Sequence, residues 1–126
     1  MARILFVDDD PLSLKMFSKI IELSGHQAVT TADVEEALSL AVSQKPDIFF
    51  TDFQMPEKDG LDVIKALRAQ ESTANIPAFL LSANADSDLN ERVLEAGGQG
   101  FLRKPLRLDS LLITIEKCIS GDYAHA

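Results

Sequence analysis

Short apolar runs alternate with segments in which apolar residues recur every three or four positions. Arg3–Val7 is almost wholly apolar and is stopped by Asp8, Asp9 and Asp10, the pattern of a buried strand. Pro11 suits a first helical position, with Asp10 as its cap. Leu12, Met16, Phe17, Ile20, Ile21 and Leu23 then follow at helical spacing until Gly25 ends the helix. Gln27–Thr31 is a second, shorter strand. Asp33 and Glu36 form a capping-box pattern ahead of the stripe Val34, Ala37, Leu38, Ala41 and Val42, which Pro46 breaks. Residues 47–51 carry Ile48, Phe49 and Phe50 and predict a third strand. The stretch 52–60, with Pro56 and Gly60, reads as a loop in which Gly60 allows a turn. Residues 61–69 predict a helix, 76–81 a fourth strand, 85–96 a polar and exposed helix, 99–102 a fifth strand and 108–119 a last helix stopped by Gly121.

Five strand–helix units in uninterrupted alternation predict a parallel sheet covered on both faces. Five units are too few for a closed barrel, which needs eight, so the expected fold is α/β with a doubly wound, five-stranded parallel sheet. At 126 residues the chain is one domain, expected over residues 1–120 with 121–126 as a tail. No apolar run approaches the ~18 residues of a membrane span, and the apolar start ends at Asp8, too soon for a signal peptide. Met1 stands close to the first strand, which favours a standalone or N-terminal placement. A single cysteine, Cys118, excludes an internal disulfide framework and a cysteine-based zinc site. A reduced, cytoplasmic setting is expected.

Charge narrows the function. Lys plus Arg is 12 and Asp plus Glu is 20, a net charge of −8. That argues against direct contact with a nucleic-acid backbone, which needs basic patches. It permits metal cations and basic partner surfaces.

Open parallel sheets place their sites beyond the carboxyl ends of the strands. Strand one is followed there by Asp8, Asp9 and Asp10, strand three by Asp52, strand four by Ser82, and strand five by Lys104 and Pro105. Strand two offers only Thr31, which looks inert. Taken alone, each acid reads as a cap or a solvated loop residue, Ser82 as an ordinary hydroxyl and Lys104 as surface charge. Together they place several carboxylates, one hydroxyl and one ammonium on one rim. Such carboxylates repel each other and must take up a proton or a cation. Hard divalent ions prefer oxygen ligands. A carboxylate kept ionised beside one can attack phosphorus, with Lys104 and Ser82 supplying a positive charge and a hydrogen bond to the phosphoryl oxygens.

With these residues in view, the chain resembles the receiver domain of bacterial two-component response regulators, of the single-domain chemotaxis or phosphorelay type. The resemblance runs from Ile4 to about Ile119. It rests on the run from Ile4 to Asp10, the run from Asp52 to Gly60 with Met55 and Pro56, Leu81-Ser82-Ala83, and Ala96-Gly97 followed by Phe101-Leu102-Arg103-Lys104-Pro105. It implies a flavodoxin-like (βα)5 fold with strand order 2-1-3-4-5. Asp52 then matches the phosphoacceptor. Asp8 and Asp9 match the acidic pair that organises Mg²⁺ or Mn²⁺, Asp9 directly and Asp8 mainly through water. The main-chain carbonyl of Gln54 matches a further ligand. Ser82 and Lys104 match the residues that attend the phosphoryl group, and the Lys104–Pro105 bond is expected to be cis. Phe101 matches an aromatic switch that turns as Ser82 moves inward, with plain core packing as the alternative. Gln54 and Asn84 lie two residues beyond Asp52 and Ser82, where a side chain can orient or shield hydrolytic water.

The implied partners are a sensor histidine kinase or a histidine phosphotransfer protein, and a downstream protein target that the sequence does not name. The implied readout face is the fourth helix, fifth strand and fifth helix, on a monomer or a phosphorylation-promoted dimer. Self-phosphorylation and slow autodephosphorylation are the only activities expected. A haloacid dehalogenase-type phosphatase using Asp8 as nucleophile is the alternative, because 8–10 is an Asp-x-Asp after a strand. That class also expects a late acidic pair, which is missing. An unphosphorylated pseudo-receiver and a flavin mononucleotide carrier fit less well, the first because every acceptor-site residue is present, the second because no phosphate-cradling loop follows strand one. His26 reads as an isolated surface residue, and Cys118 as packed and unreactive.

Overall fold

The computed structural model describes residues 2–83 and 86–121. Its elements run β1 (Arg3–Val7), α1 (Pro11–Leu23), β2 (Gln27–Thr31), α2 (Val34–Gln44), β3 (Ile48–Asp52), α3 (Gly60–Ala69), a 3₁₀ turn (Glu71–Thr73), β4 (Ala78–Ser82), α4 (Leu89–Ala96), β5 (Gly100–Arg103) and α5 (Leu108–Ser120). The strands form one parallel sheet in the order β2-β1-β3-β4-β5, the doubly wound arrangement expected.

Side chains on a strand alternate between faces, and here both faces are apolar. Leu5, Val7, Phe49, Ala78 and Leu80 point to one face and are covered by α2, α3 and α4 through Ala37, Leu38, Ala41, Leu61, Ile64, Leu67 and Val93. Ile4, Phe6, Ile48, Phe50, Phe79 and Leu81 point to the other and meet Phe17 and Ile21 of α1 and Leu111 and Ile115 of α5. On that face the rings of Phe6, Phe17, Phe50 and Phe79 pack in succession, with neighbouring centroids 4.4, 5.6 and 5.5 Å apart. Two buried faces explain why the strands read as continuous apolar runs rather than alternating ones.

Several local expectations change. Asp33 caps α2, accepting from the Glu36 amide at 3.1 Å, but the box does not close. The Glu36 carboxylate instead accepts from the Thr31 hydroxyl. The full box lies at α3, where Asp59 accepts from the Asp62 amide at 2.9 Å and Asp62 accepts in return from the Asp59 amide. The fourth helix is shorter than expected and is not merely exposed. Leu89, Val93 and Ala96 form a narrow buried stripe along it. Gly60 is the first residue of α3 and carries no left-handed backbone. It is required for closeness: a Cβ there would stand 2.3 Å from Leu80 Cδ1 and 2.5 Å from the Asp52 carbonyl oxygen. His26 is half-buried, and its Nδ1 accepts from the Ala2 amide at 2.9 Å. Among the described residues, no helix is long and apolar enough to cross a membrane.

Candidate functional site

β1 and β3 are adjacent, so the acids that follow β1 and the one that ends β3 meet at one end of the sheet. Asp8, Asp9 and Asp52 each present a carboxylate oxygen within 4.8 Å of the others. Asp8 is fully buried and Asp52 nearly so, while Asp9 is exposed. Asp10 stands apart as the cap of α1, its Oδ1 accepting from the Leu12 amide at 3.1 Å and its Oδ2 from the Ser13 hydroxyl at 3.0 Å.

Lys104 reaches the cluster from the far end of the chain. Its Nζ lies 2.9 Å from Asp8 Oδ2 and 2.7 Å from Asp52 Oδ1. The Lys104 amide donates to the Ser82 carbonyl at 2.9 Å, and the Lys104–Pro105 bond is cis. Asp8 has both oxygens engaged, since Oδ1 accepts from the Asp10 amide at 3.0 Å. Asp52, Phe53, Gln54, Ser82, Ala83 and Lys104 enclose a small cavity of about 110 Å³. Thr31, expected to be inert, is buried. Its carbonyl accepts from the Asp8 amide at 3.2 Å, and its hydroxyl accepts from the Asp33 amide. No pattern around Thr31 in the sequence signals this tie.

Three carboxylates against one ammonium leave the site electrostatically unbalanced. Burial lifts the Asp52 carboxyl above the usual carboxylate range; the charges of Asp8 and Asp9 add to this, and the Lys104 hydrogen bond opposes it. Burial works to lower the Lys104 ammonium, but hydrogen bonds to Asp52 and Asp8 prevail and hold it above its ordinary value. The arrangement keeps a proton on Lys104 and leaves an all-oxygen donor set in want of further positive charge. That chemistry suits a hard divalent cation.

Of the other predicted residues, Ser82 and Gln54 line the cavity beside Asp52. Ser82 ends β4 and is buried. Phe101 is half-buried on β5, paired in register with Leu80 and packed against the core beneath α4. Gln54 is exposed, in the loop after β3. Pro105 lines a separate small cavity with Phe6, Ser13, Met16, Leu81 and Leu106. Asn84 lies outside the described residues. The Phe53–Arg92 pair was not foreseen from the sequence: the Arg92 guanidinium carbon of α4 sits 5.7 Å from the centroid of the Phe53 ring.

Comparison with known proteins gives one consistent result. The family model for the response regulator receiver domain matches residues 4–116. The polar-differentiation response regulator DivK of Brucella ovis is 34% identical over 119 residues, covering 94% of this chain and 96% of the relative. The Vibrio cholerae chemotaxis protein CheY4 superposes with a TM-score of 0.88 at 30% identity, over 94% of this chain and 98% of that one. The receiver domain of the Pseudomonas aeruginosa sensor histidine kinase PA1611, solved with a magnesium ion coordinated in its active-site cleft, superposes with a TM-score of 0.85 at 28% identity, over 94% of this chain and 98% of that one.

Proposed function

The chain belongs to the response regulator receiver domain family, and from that premise we propose that it is a phosphoacceptor switch in which Asp52 receives the phosphoryl group. The observation that carries this reading is the convergence of Asp8, Asp9 and Asp52 within 4.8 Å, with Lys104 bound to Asp8 and Asp52 from the other side.

The donor is a phosphohistidine on a sensor histidine kinase or a histidine phosphotransfer protein. An Asp52 carboxylate oxygen forms a bond to phosphorus as the phosphorus–nitrogen bond breaks. The imidazole nitrogen leaves with the electron pair and takes a proton from water. Lys104 already holds Asp52 Oδ1 at 2.7 Å, so Oδ2 is the oxygen left to attack. Lys104 and Ser82, both of which line the cavity, then serve the new phosphoryl oxygens as cation and hydroxyl donor. Mg²⁺ or Mn²⁺, held by Asp8, Asp9, Asp52 and the Gln54 carbonyl, would supply the positive charge that offsets the phosphoryl oxygens. Slow return of the phosphoryl group to water completes the cycle, and Asn84 and Gln54 are placed in sequence to influence it. The receiver unit is taken as residues 1–120, working in the cytoplasm.

The output follows from packing. A phosphoryl group draws the Ser82 side chain toward it, and Phe101, half-buried on the neighbouring strand, turns into the space released. This biases a two-state element on the face formed by α4, β5 and α5, where a downstream protein or a second copy binds. The phosphatase alternative has no support from the comparisons. Asp8 is also fully buried with both oxygens engaged, a poor nucleophile.

The test is incubation with acetyl phosphate and Mg²⁺, followed by intact mass measurement. The wild type should gain one phosphoryl group, labile to hydroxylamine and absent in Asp52→Ala. Failure of the wild type to label, or undiminished labelling of the variant, would falsify the assignment.

A further inference from the structure

Phe53 directly follows Asp52 and forms part of the cavity wall. Its backbone is fixed on both sides: its amide donates to the Leu81 carbonyl at 2.8 Å, and its carbonyl accepts from the Gly60 amide at 2.7 Å. The half-buried ring packs against the core, and the Arg92 guanidinium lies over it, 5.7 Å from the centroid. A cation seated on an aromatic face is held there by the ring quadrupole.

Arg92 has closer candidates for pairing. Asp88, at the N-cap of α4, and Glu95 lie four residues before and three after it, the spacing at which opposite charges meet. Among the described residues, neither comes within ion-pair distance of it. Among the described residues the guanidinium has no carboxylate partner, and it stays over the Phe53 ring at the cavity wall. Three other cations already have carboxylate partners. Lys104 is shared between two carboxylates, Lys58 pairs with Glu35 at 3.5 Å, and Arg107 pairs with Asp109 at 3.1 Å.

A phosphodonor is an anion, and it must approach a rim that carries exposed Asp9, Asp10, Asp86 and Asp88 on a chain of net charge −8. We propose that Arg92, held over Phe53, is a positioning residue that draws the anionic phosphodonor toward Asp52. It forms no bond to the donor and takes no part in bond making. It offsets repulsion during approach and acts through the field it places at the cavity mouth. The inference rests on the proposed role of Asp52 and adds a determinant of donor recognition.

The experiment measures the second-order rate constant for phosphorylation by acetyl phosphate at fixed excess Mg²⁺, in the wild type, Arg92→Gln and Arg92→Lys. At low ionic strength Arg92→Gln should fall about threefold, the size expected for one charge acting in water on a dianion about 10 Å away, well inside the ~30 Å Debye length at about 0.01 M. Arg92→Lys should retain most of the wild-type rate. At about 0.5 M salt, where screening is nearly complete at this range, the two variants and the wild type should converge. Equal rates for Arg92→Gln and wild type at low salt would overturn the inference while leaving Asp52 as acceptor. A deficit in Arg92→Gln that persists unchanged at high salt, or that Arg92→Lys shares, would overturn it in favour of a packing role. A wild type that takes no phosphoryl group would remove the acceptor assignment itself, and this inference with it.

Discussion

Replacing Asp9 with Asn should make the metal-free protein more stable. Asp9 is exposed, and its carboxylate lies within 4.8 Å of those of Asp8 and Asp52. At that separation two like charges cost about 0.9 kcal/mol in water and about 3.5 kcal/mol at an effective dielectric of 20. The water value governs an exposed group, and attraction to Lys104 offsets roughly one of the two repulsions. The net gain on neutralising Asp9 is then about 1 kcal/mol, or about 4 °C in melting temperature for a domain of this size. The assay is thermal unfolding with chelator and again with Mg²⁺. With chelator the variant should melt higher than the wild type. With Mg²⁺ the wild type should rise more than the variant, because a cation at tenfold its dissociation constant adds about 1.4 kcal/mol and the variant has lost a ligand charge. A variant that melts at or below the wild type in chelator would refute the reasoning, since it would mean the three carboxylates do not repel one another in solution.

Other outcomes follow from the same geometry. Gly60→Ala should lose about 1–3 kcal/mol in urea unfolding, because two of the atoms its Cβ would meet are backbone and cannot swing away; loss below 0.3 kcal/mol or so would count against that close approach. Lys104→Met should lower stability at pH 7.5 by leaving Asp8 and Asp52 without their cation. Asp52 already binds its proton more tightly when folded than when unfolded, so protonation favours the fold. Removing Lys104 strengthens that preference, and the deficit should shrink as the pH falls toward 5. Asp59→Ala should cost about 1 kcal/mol through loss of the α3 cap, read by the same unfolding curves. Burial pushes the Cys118 thiol up to about 12, so at pH 8 about 10⁻⁴ of it is thiolate and iodoacetamide should label it far more slowly in the folded chain than in urea.

The fold was legible because its signals are local. β1 and β2 begin and end where apolar residues give way to acids or to turn residues, and their observed limits agree with the sequence pattern. β3 and β4 each extend to include a polar residue, Asp52 and Ser82, because pairing to neighbouring strands outweighs side-chain polarity at the strand end. α4 was misjudged because three buried positions in eight make a stripe too narrow to stand out among charged neighbours. The acids and Lys104 could be grouped from strand order alone, since a parallel sheet sends every strand's carboxyl end to the same rim. What composition and spacing do not carry is contact between remote segments. Arg68 shows this: it donates to the Gly97 carbonyl at 2.8 Å and to Gln99 Oε1 at 3.3 Å, binding α3 to the turn before β5. The seat of Arg92 on Phe53 is of the same kind.

Lys104 is separated from Asp8 by 96 positions and follows directly from the edge strand β5. Any fragment that stops short of this strand holds mutually repelling acids and nothing to quiet them. Under the proposed role of Lys104, chemical competence arrives only when the outermost ribbon docks, so a half-made or partly frayed copy stays mute instead of sending a false message.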